Sequence, residues 1–324
     1  MLIQQNAWHP ARLKVVLGLL VLMAAGPIYT QADDLVPRVH FKPKDGWLGD
    51  VHPIFWRNEW HVYYLEVPHE PMRHGLHGIH SADVVSSDLI HWNEHPVYQE
   101  EPNRPWWLIA NIIQDGTLYS FYNGEDGIHL SVSTDGKTGR PYLKNPVISY
   151  DSVDVAQLRD PSVWKNEETG EFWMVLAAKK STEVHHFYSG AFYYTTSKDL
   201  IHWNPVKVLY DPGGINVPEC PEMFKLNGRY YLLGSWGTDR VGMGRYRISD
   251  HPHGPWRRCR TESIDGTDIS APNTASDGKR RLFFGWIPTY SGNVDYGASE
   301  WGGHLAFLVK SGLPQMAPFT AALP

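Results

Sequence analysis

Seven residues recur almost unchanged 111 positions apart: Ser-Asp-Leu-Ile-His-Trp-Asn at 87–93 and Lys-Asp-Leu-Ile-His-Trp-Asn at 198–204. Weaker versions stand at 133–137, Ser-Thr-Asp-Gly-Lys, and at 249–256, Ser-Asp-His-Pro-His-Gly-Pro-Trp. These turn signals follow strand-like stretches such as Ala191-Phe192-Tyr193-Tyr194-Thr195-Thr196. A second series alternates with the first, each member a polar or acidic start followed by a β-rich run. Its starts are Asp50 in Asp-Val-His-Pro-Ile-Phe-Trp, Asn111 in Asn-Ile-Ile-Gln-Asp-Gly-Thr-Leu-Tyr, Asp160 in Asp-Pro-Ser-Val-Trp, Glu219 in Glu-Cys-Pro-Glu-Met-Phe, and Asp268 in Asp-Ile-Ser-Ala-Pro-Asn. Asp50 and Asp160 are 110 residues apart, two periods of 55; the next steps are 59 and 49 residues. A period of about 40–60 residues built from short strands is the signature of propeller blades. No long amphipathic helical pattern interrupts it, and 29 Gly with 24 Pro suit frequent turns. The expected fold class is all-β, a five-bladed β-propeller with a central active-site pocket. A β-sandwich with chance similarity at its turns is the alternative, but it gives no reason for a carboxylate to return at each interval.

The N-terminus reads as an export signal. Arg12 and Lys14 precede an apolar run from Val15 to Ala25, and the small-residue site Thr30-Gln31-Ala32 follows. The run falls short of the roughly 20 apolar residues that a membrane-spanning helix needs. Residues 1–32 are therefore expected to be a secretory signal peptide, and 33–324 the propeller domain. The mature protein is expected to be secreted or periplasmic, with no stable membrane association after cleavage, as a monomer or weak oligomer. The chain has net charge −6 and no basic block, so no nucleic-acid partner is expected. Only two cysteines stand in 324 residues, which excludes a four-thiolate zinc site; export would permit a Cys220–Cys259 disulfide without requiring one.

In a propeller the innermost strand of each blade lines a central channel, and equivalent positions form a ring. Asp50, Asp160 and Glu219, each opening such a strand, would converge on one pocket. Like charges brought together raise at least one pKa, so one group can act as an acid while another stays ionised. A paired acid and nucleophile or base is what glycosidic cleavage requires. The chain's 14 Trp include Trp47, Trp56, Trp106, Trp107, Trp236, Trp286 and Trp301 near these segments, each either a flat face for a sugar ring or blade packing.

These residues carry a family resemblance. Leu158-Arg159-Asp160-Pro161, followed by the strand Glu171-Phe-Trp-Met-Val-Leu, and Glu219-Cys220-Pro221, followed by Arg229-Tyr-Tyr-Leu-Leu-Gly, stand in order. Asp268-Ile-Ser-Ala-Pro-Asn-Thr with Arg280-Arg-Leu-Phe-Phe-Gly-Trp286 comes next, and Asp88-Leu-Ile-His-Trp92 ends the first unit. Together they resemble glycoside hydrolase family 32, the invertase, inulinase and levanase type of β-fructosidase. The resemblance implies Asp50 as nucleophile and Glu219 as acid/base. It gives Asp160, with Arg159 beside it, a role in binding sugar hydroxyls and stabilising the transition state. It also implies a retaining mechanism. Trp47, His52, Asn111, Arg159, Asp268 and Trp286 are the expected substrate-binding residues. An oligo- or polysaccharide of the fructan type is the expected partner, with no cofactor and no metal.

The chain also departs from the family's pattern. Where the family has Trp-Met-Asn-Asp-Pro-Asn-Gly, this chain has Trp47-Leu48-Gly49-Asp50-Val51-His52-Pro53, with Gly49 in place of a substrate-touching asparagine. Leu65 stands for a glutamine and Asp83 for a frequent histidine, and the chain stops at Pro324, about where the family's C-terminal β-sandwich would begin. The altered residues put fructose specificity in question. Two other readings keep the fold: a family-43-like inverting hydrolase of arabinose- or xylose-containing glycans, and a non-catalytic sugar-binding propeller. His69, His74, His77 and His80 read as a loop over the pocket rim rather than a metal site, because Pro71 breaks any helix there.

Overall fold

The computed structural model describes residues 40–44, 46–68, 80–95, 107–184, 187–213, 217–236, 244–260, 263–264, 269–291, 297 and 299–308. The expected signal segment, the His69–His77 stretch, Trp106 and Asp268 lie outside them. The described chain is almost entirely strand, and the five expected repeats are five antiparallel blades. Blade one is β1 (Gly46–Trp56), β2 (Glu59–Pro68), β3 (His80–Ser86) and β4 (Asn93–His95). Blade two is β5 (Trp107–Gln114), β6 (Thr117–Asn123), β7 (Gly127–Ser133) and β8 (Arg140–Pro141), with β9 (Ile148–Ser149) also pairing β7. Blade three is β10 (Gln157–Lys165), β11 (Phe172–Val184), β12 (Phe187–Ser197) and β13 (Lys207–Tyr210). Blade four is β14 (Glu219–Leu226), β15 (Arg229–Ser235) and β16 (Gly244–Ser249), and blade five is β17 (Ser270–Ser276), β18 (Arg281–Tyr290) and β19 (Ser299–Leu308). The innermost strands β1, β5, β10, β14 and β17 each lie against the next, and β17 returns to β1.

Among the described residues the hydrophobic core is divided into five clusters, one between each pair of neighbouring blades. Leu48, Trp60, Val62, Phe284 and Trp286 fill the gap between blades one and five. Trp56, Tyr63, Leu118 and Tyr122 lie between one and two, and Phe121, Leu130, Met174 and Leu176 between two and three. Val175, Phe192, Leu232 and Trp236 join three to four, and Phe224, Tyr231 and Leu233 with Phe283 join four to five. This explains why the middle strands lack a polar face. In β11, Trp173, Val175 and Ala177 point to blade four while Phe172, Met174, Leu176 and Ala178 point to blade two. Successive side chains alternate between two buried surfaces, so the strand reads as an uninterrupted apolar run.

Tight turns set the register. Three inner hairpins close on two residues with positive φ, Arg57-Asn58, Asp115-Gly116 and Asn227-Gly228, whose twist matches that of the flanking strands. The repeated seven-residue motif is the turn after the third strand. In blade three the Ser197 hydroxyl accepts the Asp199 and Leu200 N–H groups at 3.1 and 3.0 Å, and Asp199 Oδ1 accepts those of Ile201 and His202 at 2.9 and 2.8 Å. Ser86 and Asp88 make the same four bonds in blade one, and Ser133 with Asp135 builds a close variant in blade two. Leu89 and Leu200 sit left-handed, with φ of 69° and 67°, where blade two places Gly136 at 79°. Gly136 is needed there, since a Cβ would lie 2.5 Å from the Trp56 ring.

Blade five and blade one form one continuous sheet in which β19 meets β1 at Gly303 and Leu48. The segment before β1 reinforces this seam, because Leu305 N–H donates to the Phe41 carbonyl at 2.8 Å and Phe41 is wholly buried.

The turn geometry makes a stability prediction. Ser197→Ala leaves the buried Leu200 N–H without its acceptor and should lower unfolding free energy by about 1–2 kcal/mol. Ser86→Ala should do the same, and the double variant should show the sum, since the two turns lie in different blades. Urea unfolding with unchanged m-values checks all three.

Candidate active site

Each inner strand breaks step with its neighbour near its beginning. The register shifts fall between Gly49 and Val51, Trp107 and Ala110, Arg159 and Ser162, Glu219 and Glu222, and Ser270 and Asn273. At four of these bulges a non-glycine residue is left-handed: Asp50 (φ 22°), Asp160 (54°), Cys220 (47°) and Ala271 (45°). Such a bulge bends the strand and re-aims its side chains, here at one end of the channel.

The bulges also correct the sequence alignment of the blades. Asp50, Asp160, Cys220 and Ala271 share one station. Glu219 stands one residue earlier, at the station of Gly49, Arg159 and Ser270, because each of those is the last pair before the shift. The three acids are therefore not equivalent positions of the repeat; two are, and the third comes from the adjoining ring.

The acids are nonetheless drawn together. Arg159 Nη2 donates to Glu219 Oε1 at 2.6 Å, and its Nη1 lies 3.6 Å from Asp160 Oδ2. The same Asp160 oxygen accepts the Cys220 backbone N–H at 3.0 Å, which straps blade three to blade four. Asp50 Oδ1 accepts the Trp286 indole N–H at 3.3 Å. Asp160 is 1% exposed, and its other oxygen, Oδ1, is buried without a protein partner among the described residues. Glu219 is the open member, with its side chain 49% exposed.

Burial and mutual repulsion shape the protonation of the group. Burial first, then the charges of Asp160 and Glu219, push the Asp50 carboxyl up to about 7 against the opposing pull of Trp286 and Arg159. Burial likewise raises Asp160 to about 6, with Arg159 and the Cys220 N–H restraining it and Glu219 adding to the rise. Burial opposes the charge of Arg159, but Asp160 and Glu219 outweigh it and hold the guanidinium above its ordinary value. The Cys220 thiol is pushed well up by burial and then by all three acids, so it is a packed neutral group rather than a thiolate nucleophile. Neither Cys220 nor Cys259 is in a disulfide.

The remaining expected residues divide. Trp286 is 1% exposed and serves Asp50 through its N–H rather than offering an open face. His52 is buried, and desolvation lowers it to about 4, so its ring is neutral. Trp47 stacks on His304, with Lys42 Nζ 3.9 Å from the centre of its ring. Asn111 accepts the Ser120 hydroxyl at 2.7 Å and lines a channel cavity of about 600 Å³ whose wall includes Glu222, Thr274 and Arg281 but none of Asp50, Asp160 and Glu219. In that cavity Thr274 donates to Glu222 Oε1 at 2.6 Å, and burial raises Glu222 to about 7. Trp56 and Trp236 are buried between blades.

Sequence reasoning missed Asn123. Its Oδ1 accepts the Asp160 backbone N–H at 3.2 Å, while its Nδ2 lies 3.2 Å from the Tyr150 hydroxyl and 3.3 Å from the Leu158 carbonyl. Asn123 pairs with Trp107 as Trp286 pairs with Ser270, the last pair before each bulge. The second strand of one blade thus supports the acid of the next, through Trp286 for Asp50 and Asn123 for Asp160. The usable signal was position, the end of the second strand, not residue type.

Known proteins resemble this chain along most of its length. The sucrose-6-phosphate hydrolase of Escherichia coli is 27% identical over 298 residues, covering 82% of this chain and 60% of the relative. The levanase of Bacillus subtilis is 26% identical, covering 83% of this chain and 43% of the relative. The chain thus spans about half the length of the relatives it matches. Among solved structures, a Bombyx mori GH32 beta-fructofuranosidase superposes with a TM-score of 0.66 at 22% identity, covering 82% of this chain and 61% of that one. Fructan 1-exohydrolase IIa from Cichorium intybus gives 0.63 at 19%, covering 82% and 56%; at these identities the likeness establishes the propeller fold. Residues 40–313 match the family model of the glycosyl hydrolases family 32 N-terminal domain, and the chain belongs to that family.

Proposed function

We propose that residues 33–324 form the catalytic propeller of an exported glycoside hydrolase that cleaves fructosyl linkages of sucrose- or fructan-like saccharides with retention at the anomeric carbon. The observation that carries this reading is the grouping of acids from three blades, with Arg159 bridging Asp160 and Glu219 and the charges of those two acting on buried Asp50. In the first step Asp50 attacks the anomeric carbon while Glu219 protonates the departing oxygen, leaving a fructosyl ester on Asp50. In the second step Glu219 takes a proton from water, the hydroxyl adds to the same carbon, and Asp50 leaves as carboxylate. Asp160 does not react; its free buried oxygen accepts a sugar hydroxyl, and its negative charge stabilises the positive charge that develops on the ring. Retention needs the two reacting carboxyls about 5–5.5 Å apart, a spacing without room for an intervening water.

Within this reading Arg159 orients Asp160 and Glu219, and Trp286 positions Asp50. Trp47, His52 and Asp268 complete the sugar-binding surround, Asn111 belongs to the channel cavity that lacks the three acids, and no cofactor is required. The names of the relatives, a sucrose-6-phosphate hydrolase and a levanase, agree with a fructosyl substrate. Gly49 in the station of Arg159 and Glu219 favours one rival, a sugar-binding propeller without turnover, because it removes a polar group from the mouth of the channel.

Three outcomes are expected. Asp50→Asn and Glu219→Gln should each lower turnover of sucrose or fructan oligosaccharides by about 10³-fold or more while folding is retained, and the double variant should be little worse. NMR of the first anomer released should show retention; an inverted product from arabinan would replace this reading with the family-43-like one, and sugar binding without turnover would replace it with the lectin-like one. Attack needs ionised Asp50, so kcat/KM should fall as pH drops below about 7, and Arg159→Gln should move that limb to higher pH because it removes a charge that lowers the Asp50 and Asp160 carboxyls.

The protonation of Asp50 also makes a stability prediction. A folded-state pKa of about 7, above the ordinary 3.8, means that the native state binds the proton more tightly than the unfolded chain does. The ionised form therefore destabilises the fold progressively as pH rises through that window. Asp50→Asn should melt higher than the parent at pH about 8 and equally at pH about 4, as read by calorimetry.

A further inference from the structure

The outer part of blade one holds a group of side chains unconnected with the carboxylate pocket. Asp83 lies on β3 opposite Tyr63 of β2 and opposite His95 of β4, and His61 precedes Tyr63 by two residues. Strand parity therefore places His61, Asp83 and His95 on one face, the one turned toward blade two. Nδ1 of His61 lies 3.4 Å and Nδ1 of His95 lies 3.0 Å from the same Asp83 oxygen, Oδ2. One ligand-type atom from each of the three residues falls within 4.8 Å of the others.

We propose that His61, Asp83 and His95 bind one divalent transition-metal ion of the zinc type. Three observations support this. The separations of 3.0 and 3.4 Å match the edge of a tetrahedron with metal–ligand bonds of about 2.0–2.1 Å, roughly 3.3 Å. Hydrogen bonds alone leave the group poorly satisfied: Asp83 is 1% exposed, both imidazoles aim at one of its oxygens, and its Oδ1 and His61 Nε2 are buried without partners among the described residues. A buried carboxylate charge is costly, and a cation held by Asp83 Oδ2 and the two Nδ1 atoms neutralises it. The group is also reachable, since the His95 side chain is 20% exposed and leaves a path for entry and a position for a water ligand.

Two imidazole nitrogens with one carboxylate favour zinc, copper or nickel over calcium or magnesium, which prefer oxygen ligands. The ion would tie three adjacent strands together. β4 is the strand with most to gain, being three residues long with Asn93 and Glu94 exposed. The effect is structural, and the site is separate from the proposed chemistry at Asp50 and Glu219.

The test uses the full chain, stripped with EDTA, desalted and then exposed to zinc alone. Gel filtration followed by elemental analysis should find one zinc per chain, cobalt substitution should give the visible d–d bands of a tetrahedral site, and zinc should raise the melting temperature. His95→Ala, at a partly exposed position, should retain the fold, weaken zinc binding by about tenfold or more and remove the cobalt bands. Asp83→Asn should do the same, and if it fails to fold, His95→Ala decides alone. His202→Ala, in the exposed turn of blade three, should leave binding unchanged. Absence of bound zinc in the folded parent overturns the proposal, as does equal binding by the parent and His95→Ala, which would assign the metal to other histidines.

Discussion

A left-handed residue at the same station of four inner strands decides what the mouth of the channel can hold. For an ordinary L-residue this conformation costs about 1–2 kcal/mol, and a short polar side chain tolerates it best. Asp50 and Asp160 fit that tolerance; Cys220 and Ala271, small and buried, fill the station where no charge is used. The bulge turns a strand that would otherwise present its residues to the neighbouring blades into one that presents them to the channel. Without it, acids 110 residues apart in the chain would lie in two different inter-blade cores.

Bringing buried acids together raises the energy of their ionised forms, and the molecule offsets this across blade boundaries. Asp50 draws on an indole N–H from blade five, and Asp160 on a backbone N–H from blade four, an adjacent guanidinium and an amide from blade two that fixes its own backbone. No blade holds its acid alone. The support is as rigid as the inter-blade packing, which explains why aromatic residues are spent between blades: Trp60, Trp286, Phe192 and Phe284 are almost fully buried there. The same economy leaves Trp236 packed on Phe192 instead of lining an open cleft.

Much of this was legible in the chain. The Asp-Leu-Ile-His-Trp-Asn repeat stands at equivalent turns because its aspartate, with the serine two residues before it, accepts the same local N–H groups each time, so sequence and geometry repeat together. The carboxylate series identified the blades and the meeting of Asp50, Asp160 and Glu219. The one-residue offset of Glu219 was hidden, since a bulge adds a residue without changing composition, and only the pairing of Glu219 with Ser235 reveals it. Asn123 was hidden for a related reason: its function comes from sitting across from a bulge in its own blade and beside one in the next. The His61, Asp83 and His95 group left no spacing signal either, because its members are diagonal and opposite neighbours on three strands, 22 and 12 residues apart.

The seam between Phe41 and β19 has a consequence for how the molecule is made. His40 and Leu305, which meet there, are separated by 265 residues, so this contact is among the most non-local the chain can form. Four blades can assemble from near neighbours as they emerge, but the circle is completed only when a late strand finds an early segment. Loop-closure entropy makes that joining slow and leaves one sheet edge unpaired until it happens. A polypeptide whose blade five is still unmade is thus held open by its own topology, and the ring closes only once β19 is available to meet β1.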